Sequence, residues 1–163
     1  MKNVRNFAYM LVIGVILAGF SQPVFAQKVT KKNVPAAVIS AFEKSFPTAK
    51  VKGYSREKEG DKISYEIECM VGSVHHDVSY NADGSLVVDE ETIRVEESPE
   101  AVKKAIQTAY PQGKIQLAEK LTTGSEIKYE FIVKTGKKTQ EVEFDASGKV
   151  VNTEDKTGKP EKD

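Results

Sequence analysis

The chain has 163 residues, with 24 Lys and Arg balanced by 24 Asp and Glu, two His, one Cys and no Trp. Hydrophobic residues at 39% and charged ones at 29% suit a folded globular protein and exclude global disorder. A formal charge of zero offers no electrostatic footprint for nucleic acid, and one cysteine excludes a disulfide framework, an iron–sulfur cluster and a Cys-rich zinc module.

Residues 1–26 have the three regions of a cleavable secretory signal. Lys2 and Arg5 form a basic start, and an apolar run follows from Phe7 to Phe20. Ser21-Gln22-Pro23 breaks the run, and Val24-Phe25-Ala26 places small or compact residues before a cut after Ala26. The run is short for a span of about 20 apolar residues. No cysteine follows it, so lipid anchoring is excluded. Cleavage would leave 137 residues, 27–163, in the periplasm or outside the cell, with no membrane span.

Sliding the sequence by 64 residues aligns 34–90 with 98–154 without a gap, with 16 identities in 57 pairs. Pro35 meets Pro99, Pro47 meets Pro111, Gly60 meets Gly124, Gly72 meets Gly136 and Gly84 meets Gly148. Helix-bounding prolines and turn glycines in common register mark a tandem duplication. The units are 34–91 and 98–154, preceded by a short N-terminal segment, 27–33.

Each unit opens with a helix. In the first, Val34, Val38, Ala41, Phe42 and Phe46 make one apolar stripe between Pro35 and Pro47. In the second, Ser98 reads as the N-cap before Pro99, and Val102, Ala105, Ile106, Ala109 and Tyr110 carry the stripe to Pro111. Four strands follow each helix. They lie around Val51 and Ile115, at Lys62–Val71 and Glu126–Thr135, at Val74–Tyr80 and Lys138–Phe144, and at Leu86–Glu91 and Val150–Glu154. Gly72-Ser73 and Gly136-Lys137 are tight hairpin turns. That register sets Tyr65 against Tyr80, Ile67 against Val78, Cys69 against His76, Tyr129 against Phe144 and Phe131 against Val142, an apolar face for the helices to cover. From Thr153 the chain has no apolar content, and residues 155–163 are expected to be a disordered tail.

The helix ending in aromatic-Pro (Phe46-Pro47, Tyr110-Pro111), the Tyr-Glu-apolar run (Tyr65-Glu66-Ile67, Tyr129-Glu130-Phe131) and the aromatic-Asn/Asp-x-x-Gly turn (Tyr80 to Gly84, Phe144 to Gly148) resemble the PepSY-like, β-lactamase-inhibitor-like secreted proteins. The resemblance covers about 34–154. It implies an α+β fold of two tandem helix-plus-four-strand repeats, in one continuous curved antiparallel sheet with the helices on one face. It also implies non-catalytic binding, in a family associated with inhibition of hydrolases.

The same register leaves the other sheet face uncovered, with Glu68 opposite Asp77 and Glu130 opposite Glu143. Directly opposed like charges destabilise a strand pair unless they are countered. Glu66, Glu141, Met70, His75 and Ile132 share this face with Lys128 and Lys134. It reads as a surface for a protein partner carrying Lys or Arg, as a weak divalent-cation site at Glu68, Asp77 and His75, or as an ordinary solvated face. The partner-binding candidates are Glu66, Glu68, Met70, His75, Asp77, Glu130, Ile132, Glu141 and Glu143. His75 and His76 are adjacent on a strand and point to opposite faces, so they cannot jointly chelate an ion. Cys69 and His76 lie beneath the helix and read as core packing rather than as a nucleophile and base.

Motifs for serine hydrolase, zincin, P-loop or dinucleotide chemistry are absent, and no catalytic residue, metal or cofactor is expected. The expected function is a non-enzymatic periplasmic or secreted module that docks a protein partner, such as an envelope or secreted hydrolase, on its open sheet. A small-ligand or cation carrier of the envelope is the alternative.

Overall fold

The computed structural model describes residues 24–158. Nine antiparallel strands form one sheet in sequence order. They are β1 (Val24–Lys28), β2 (Lys50–Glu59), β3 (Lys62–Val71), β4 (Val74–Asn81), β5 (Leu86–Thr92), β6 (Lys114–Thr123), β7 (Glu126–Thr135), β8 (Lys138–Asp145) and β9 (Val150–Asp155). Helix α1 (Ala36–Ser45) joins β1 to β2, and α2 (Glu100–Ala109) joins β5 to β6. The fold is α+β, and its helix-then-four-strands order occurs twice in the single sheet.

The hairpin register is the expected one: Tyr65 pairs with Tyr80, Ile67 with Val78, Cys69 with His76, Tyr129 with Phe144 and Phe131 with Val142. Each helix buries two residues of its stripe, Val38 and Phe42 in α1, Val102 and Ile106 in α2. Val38 and Phe42 pack with Ile67, Cys69, Val78 and Tyr80, while Val102 and Ile106 pack with Ala118, Phe131, Val133, Val142 and Phe144. Following register through Val78, Asp89, Thr122 and Ile127 shows that both cores stand on the same face of the sheet. Full burial of each large apolar side chain contributes about 1.5–3 kcal/mol.

The turns after β4 and β8 are pressed against the helices. A Cβ at Gly84 would stand 2.7 Å from the Ala37 carbonyl oxygen, and one at Gly148 2.5 Å from that of Ala101. Both glycines have φ above +80°, so the position demands glycine twice over. Asp145 accepts hydrogen bonds from the Ser147 and Lys149 backbone N–H groups, which holds this turn closed.

Three local expectations are corrected. Pro35 and Pro99, not Ser98, occupy the N-cap positions, without a side-chain capping bond. Ser98 is instead buried one residue earlier, and its hydroxyl has no hydrogen-bond partner. The last strand runs one residue past the expected Val150–Glu154, taking in Asp155 from the expected tail, because Asp155 pairs with Gln140. Lys156 and Thr157 then return to Thr139 through hydrogen bonds of 2.9 and 3.1 Å. Residues 159–163 of the expected tail lie outside the described residues. The third difference is β1, which starts ahead of the expected cut after Ala26: Val24–Lys28 pairs with Glu59–Ser55. Residues 1–23 of the expected signal also lie outside the described residues.

Candidate functional site

The face opposite the helices gathers all nine candidate residues. On β3 and β4, Glu66 stands opposite Ser79, Glu68 opposite Asp77 and Met70 opposite His75. On β7 and β8, Glu130 stands opposite Glu143 and Ile132 opposite Glu141. The joint between the units adds carboxylates that were not legible beforehand. Glu90 of β5 pairs with Asp77, and Glu119 of β6 pairs with Glu130. An acidic band therefore crosses the middle of the sheet from Glu68 to Glu143.

The candidates differ in depth. Asp77 and Glu130 are buried at 7% exposure and Glu119 at 2%, although no helix of the described residues covers this face. Met70, His75, Ile132 and Glu66 are half-buried, and the Glu68 side chain is 39% exposed. Glu66, Glu68, Met70, His75 and Ile132 are therefore accessible candidates on this face, with Asp77, Glu119 and Glu130 beneath them. Oxygens of Asp77, Glu90 and Glu119 lie within 4.8 Å of one another, as do those of Glu130, Glu141 and Glu143. Among the described residues these two groups, and not Glu68, Asp77 and His75, bring three ligand atoms close enough to hold a cation.

An imidazole and two lysines ring the band. His75 Nε2 lies 3.3 Å from Glu68 Oε1, and Lys128 Nζ lies 3.6 Å from Glu143. Lys156 reaches both Glu141 and Glu154 at 2.9 Å. Burial works against its charged form, yet the bonds and charges of the two carboxylates outweigh it and hold the ammonium above its ordinary pKa. Ser55 donates to Glu66 at 3.2 Å and Asn152 to Glu143 at 3.0 Å. The side chains on this face are thus partly fixed before any partner arrives.

Beneath the helices, Cys69 and His76 stand opposite each other as expected, but they do not make a reactive pair. His76 Nδ1 is 2.8 Å from Asp89, and the Phe46 ring meets the imidazole edge-on at 5.6 Å. Burial, with smaller contributions from Asp89, Asp77 and Glu68, pushes the Cys69 thiol up to about 11, so no thiolate is available at neutral pH. A cleft at the end of α2, lined by Ile106, Gln107, Tyr110, Pro111, Gly113 and Ile115, has a volume of about 150 Å³. Small-molecule sites commonly need about 300–1,000 Å³.

Among the described residues no helix is long and apolar enough to cross a membrane. No curated protein matches the chain. Among solved structures the fold is similar to a "putative periplasmic" protein of Bacteroides eggerthii, at 18% identity and a TM-score of 0.67, covering 76% of this chain and 90% of that one. It is also similar to a DUF2874 family protein of Bacteroides uniformis, at 18% identity and a TM-score of 0.66, covering 77% and 92%. A BLIP-like protein of Bacteroides fragilis matches at 21% identity and a TM-score of 0.64, covering 79% and 92%. Identities this low establish a shared fold. The family model described as "Putative beta-lactamase-inhibitor-like, PepSY-like" matches residues 24–88 and 63–152. The two overlapping matches together span most of the chain, and the chain accordingly belongs to this β-lactamase-inhibitor-like, PepSY-like family.

Proposed function

We propose that the chain is exported, loses residues 1–26 and acts in the periplasm as a non-enzymatic module that docks a protein partner on its open sheet face. One observation carries the reading: an acidic band with half-exposed Met70 and Ile132 lies on a wide face that the described residues leave uncovered. Such a surface selects a partner that presents Lys or Arg beside apolar groups. The family resemblance points to a hydrolase, blocked by steric occlusion of its cleft, which needs no chemistry from this chain. The experiment is capture from periplasmic extract by the native protein and by a Glu66→Lys, Glu68→Lys variant, neither side chain being fully buried. A hydrolase held by the native protein and released by the variant supports the reading, and equal capture by both refutes this face.

A cation-binding role is the second reading, favoured by the convergence of Asp77, Glu90 and Glu119 within 4.8 Å. It predicts a rise in melting temperature with Ca²⁺ or Zn²⁺ that Glu90→Gln abolishes.

A further inference from the structure

The repeat extends further than its sequence identity shows. With the same 64-residue offset, β1 pairs with β2 as β5 pairs with β6: Gln27 faces Arg56 where Glu91 faces Lys120, and Lys28 faces Ser55 where Thr92 faces Glu119. The chain leaving each strand repeats too, since the Val29 N–H donates to Tyr54 and the Ile93 N–H to Ala118, both at 2.9 Å. At the far end, β9 pairs with β8 as β5 pairs with β4. His76 with Glu91 matches Gln140 with Asp155, and the irregularity after Ser79 recurs after Glu143. Strands β1, β5 and β9 are therefore three versions of one strand. Of these three, only β5 is paired on both sides among the described residues.

The outer edge of β9 is thus equivalent to the edge of β5 that receives β6, and β6 is equivalent to β2. The β5·β6 joint is clamped by an ion pair between Lys120 Nζ and Glu91 Oε2. Its equivalents stand at opposite ends of the molecule, Asp155 on β9 and Arg56 on β2. Set in the β5·β6 register, β9 of one copy against β2 of the next places Asp155 opposite Arg56 and Thr153 opposite Lys58. Glu154 would face Glu57, but Lys156 already lies 2.9 Å from Glu154. The β9 edge also exposes Val150 at 47% and Val151 at 43%, the kind of bare strand that invites pairing with another chain.

In the described chain β1 occupies the β2 edge. Its Val24, Phe25 and Ala26 pair with Glu59, Lys58 and Glu57, and all three precede the proposed cleavage point. Removing them leaves on that edge the pairs of Gln27 and Lys28 and the Val29 bond to Tyr54, too short a strand to hold it.

We propose that cleavage after Ala26 opens the β2 edge to β9 of a second copy, joining mature chains head to tail through the same pairing that joins the two units within one chain. This inference rests on export and cleavage but not on a partner at the open face, since Arg56 and Asp155 lie on the helix side of the sheet.

The test is to produce the full chain with its leader in an exporting host, read the N-terminus of the purified protein by mass spectrometry, and follow its mass against concentration by light scattering. The expected result is a chain beginning at Gln27 whose mass rises with concentration. Arg56→Asp alone and Asp155→Arg alone should each weaken association about tenfold or more, since each turns an attractive pair into a repulsive one. An equimolar mixture of the two variants should regain it, because every joint in the mixture can again match Asp with Arg. A chain that begins at Gln27 and stays monomeric overturns the proposal, as does a mature chain that retains Val24–Ala26. Loss with Asp155→Arg but not with Arg56→Asp also overturns it, and indicates β9 pairing with β9.

Discussion

Gly148→Ala tests how tightly the turn after β8 is pressed against α2. The glycine has φ of +82°, and a Cβ built there lies 2.5 Å from the Ala101 carbonyl oxygen and 3.3 Å from the Val102 nitrogen. Left-handed backbone costs an alanine about 1–2 kcal/mol. The close atoms are helix backbone, which cannot swing away as a side chain could, and overpacking of this kind costs about 1–3 kcal/mol more. The expected loss is therefore about 2–5 kcal/mol, a large part of the 5–15 kcal/mol typical of a folded domain. With an unfolding entropy of about 0.3 kcal/mol/K for a chain of this size, the melting temperature should fall by roughly 7–17 °C. Gly136→Ala separates the two contributions. It has φ of +61° but nothing within 4 Å of the added Cβ, so only the backbone cost of about 1–2 kcal/mol applies. Urea unfolding of both variants at one pH measures the difference. Equal losses would show that the helix yields freely to the added methyl, and would refute the argument from close approach.

Phe131, fully buried and edge-on to Phe144 at 5.9 Å, should cost about 3–5 kcal/mol when replaced by alanine, measured as a drop in the urea midpoint. Stability should fall above about pH 9. Burial first, then nearby carboxylates, pushes the Cys69 thiol up to about 11 from 9.0, and burial first pushes the Tyr80 phenol up to about 12 from 10.0. The unfolded chain therefore releases these protons at lower pH than the folded one, and the native state loses ground as pH rises from about 9 towards 12. Cys69→Ala should flatten the lower part of this fall, and a pH profile unchanged by that substitution refutes the assignment. In the native protein at neutral pH, Cys69 should react with a thiol reagent only as fast as the chain opens, a rate followed directly by absorbance.

Much of the fold could be read from spacing alone. The 64-residue offset aligned glycines and prolines whose backbone roles are local, so helix ends and hairpin turns followed without knowledge of the rest of the chain. The two-residue turns at Gly72-Ser73 and Gly136-Lys137 then fixed which residues face each other, because a one-residue slip would invert every side chain. That step placed Glu66, Glu68, Met70, His75, Asp77, Glu130, Ile132, Glu141 and Glu143 on one face. Ser98 misled because serine before proline resembles a cap, whereas its burial is decided by contacts beyond the helix. Asp155 read as tail because it is polar, yet an edge strand needs only one paired neighbour, and β8 supplies it through Gln140.

The sequence by itself determined the duplication, the order of helices and strands, and the register inside each hairpin, because those depend on turns of two to four residues and on side-chain periodicity. Only the tertiary structure decided the joint between β5 and β6, which merges the units into one sheet and brings Glu90 and Glu119 beside Asp77 and Glu130. That pairing spans a helix, and its register is set by how α2 seats on its core rather than by any local turn. The depth of Asp77, Glu119 and Glu130 has the same origin. A strand pattern assigns a residue to a face, whereas burial on an uncovered face depends on neighbours that adjoining strands bring from far along the chain.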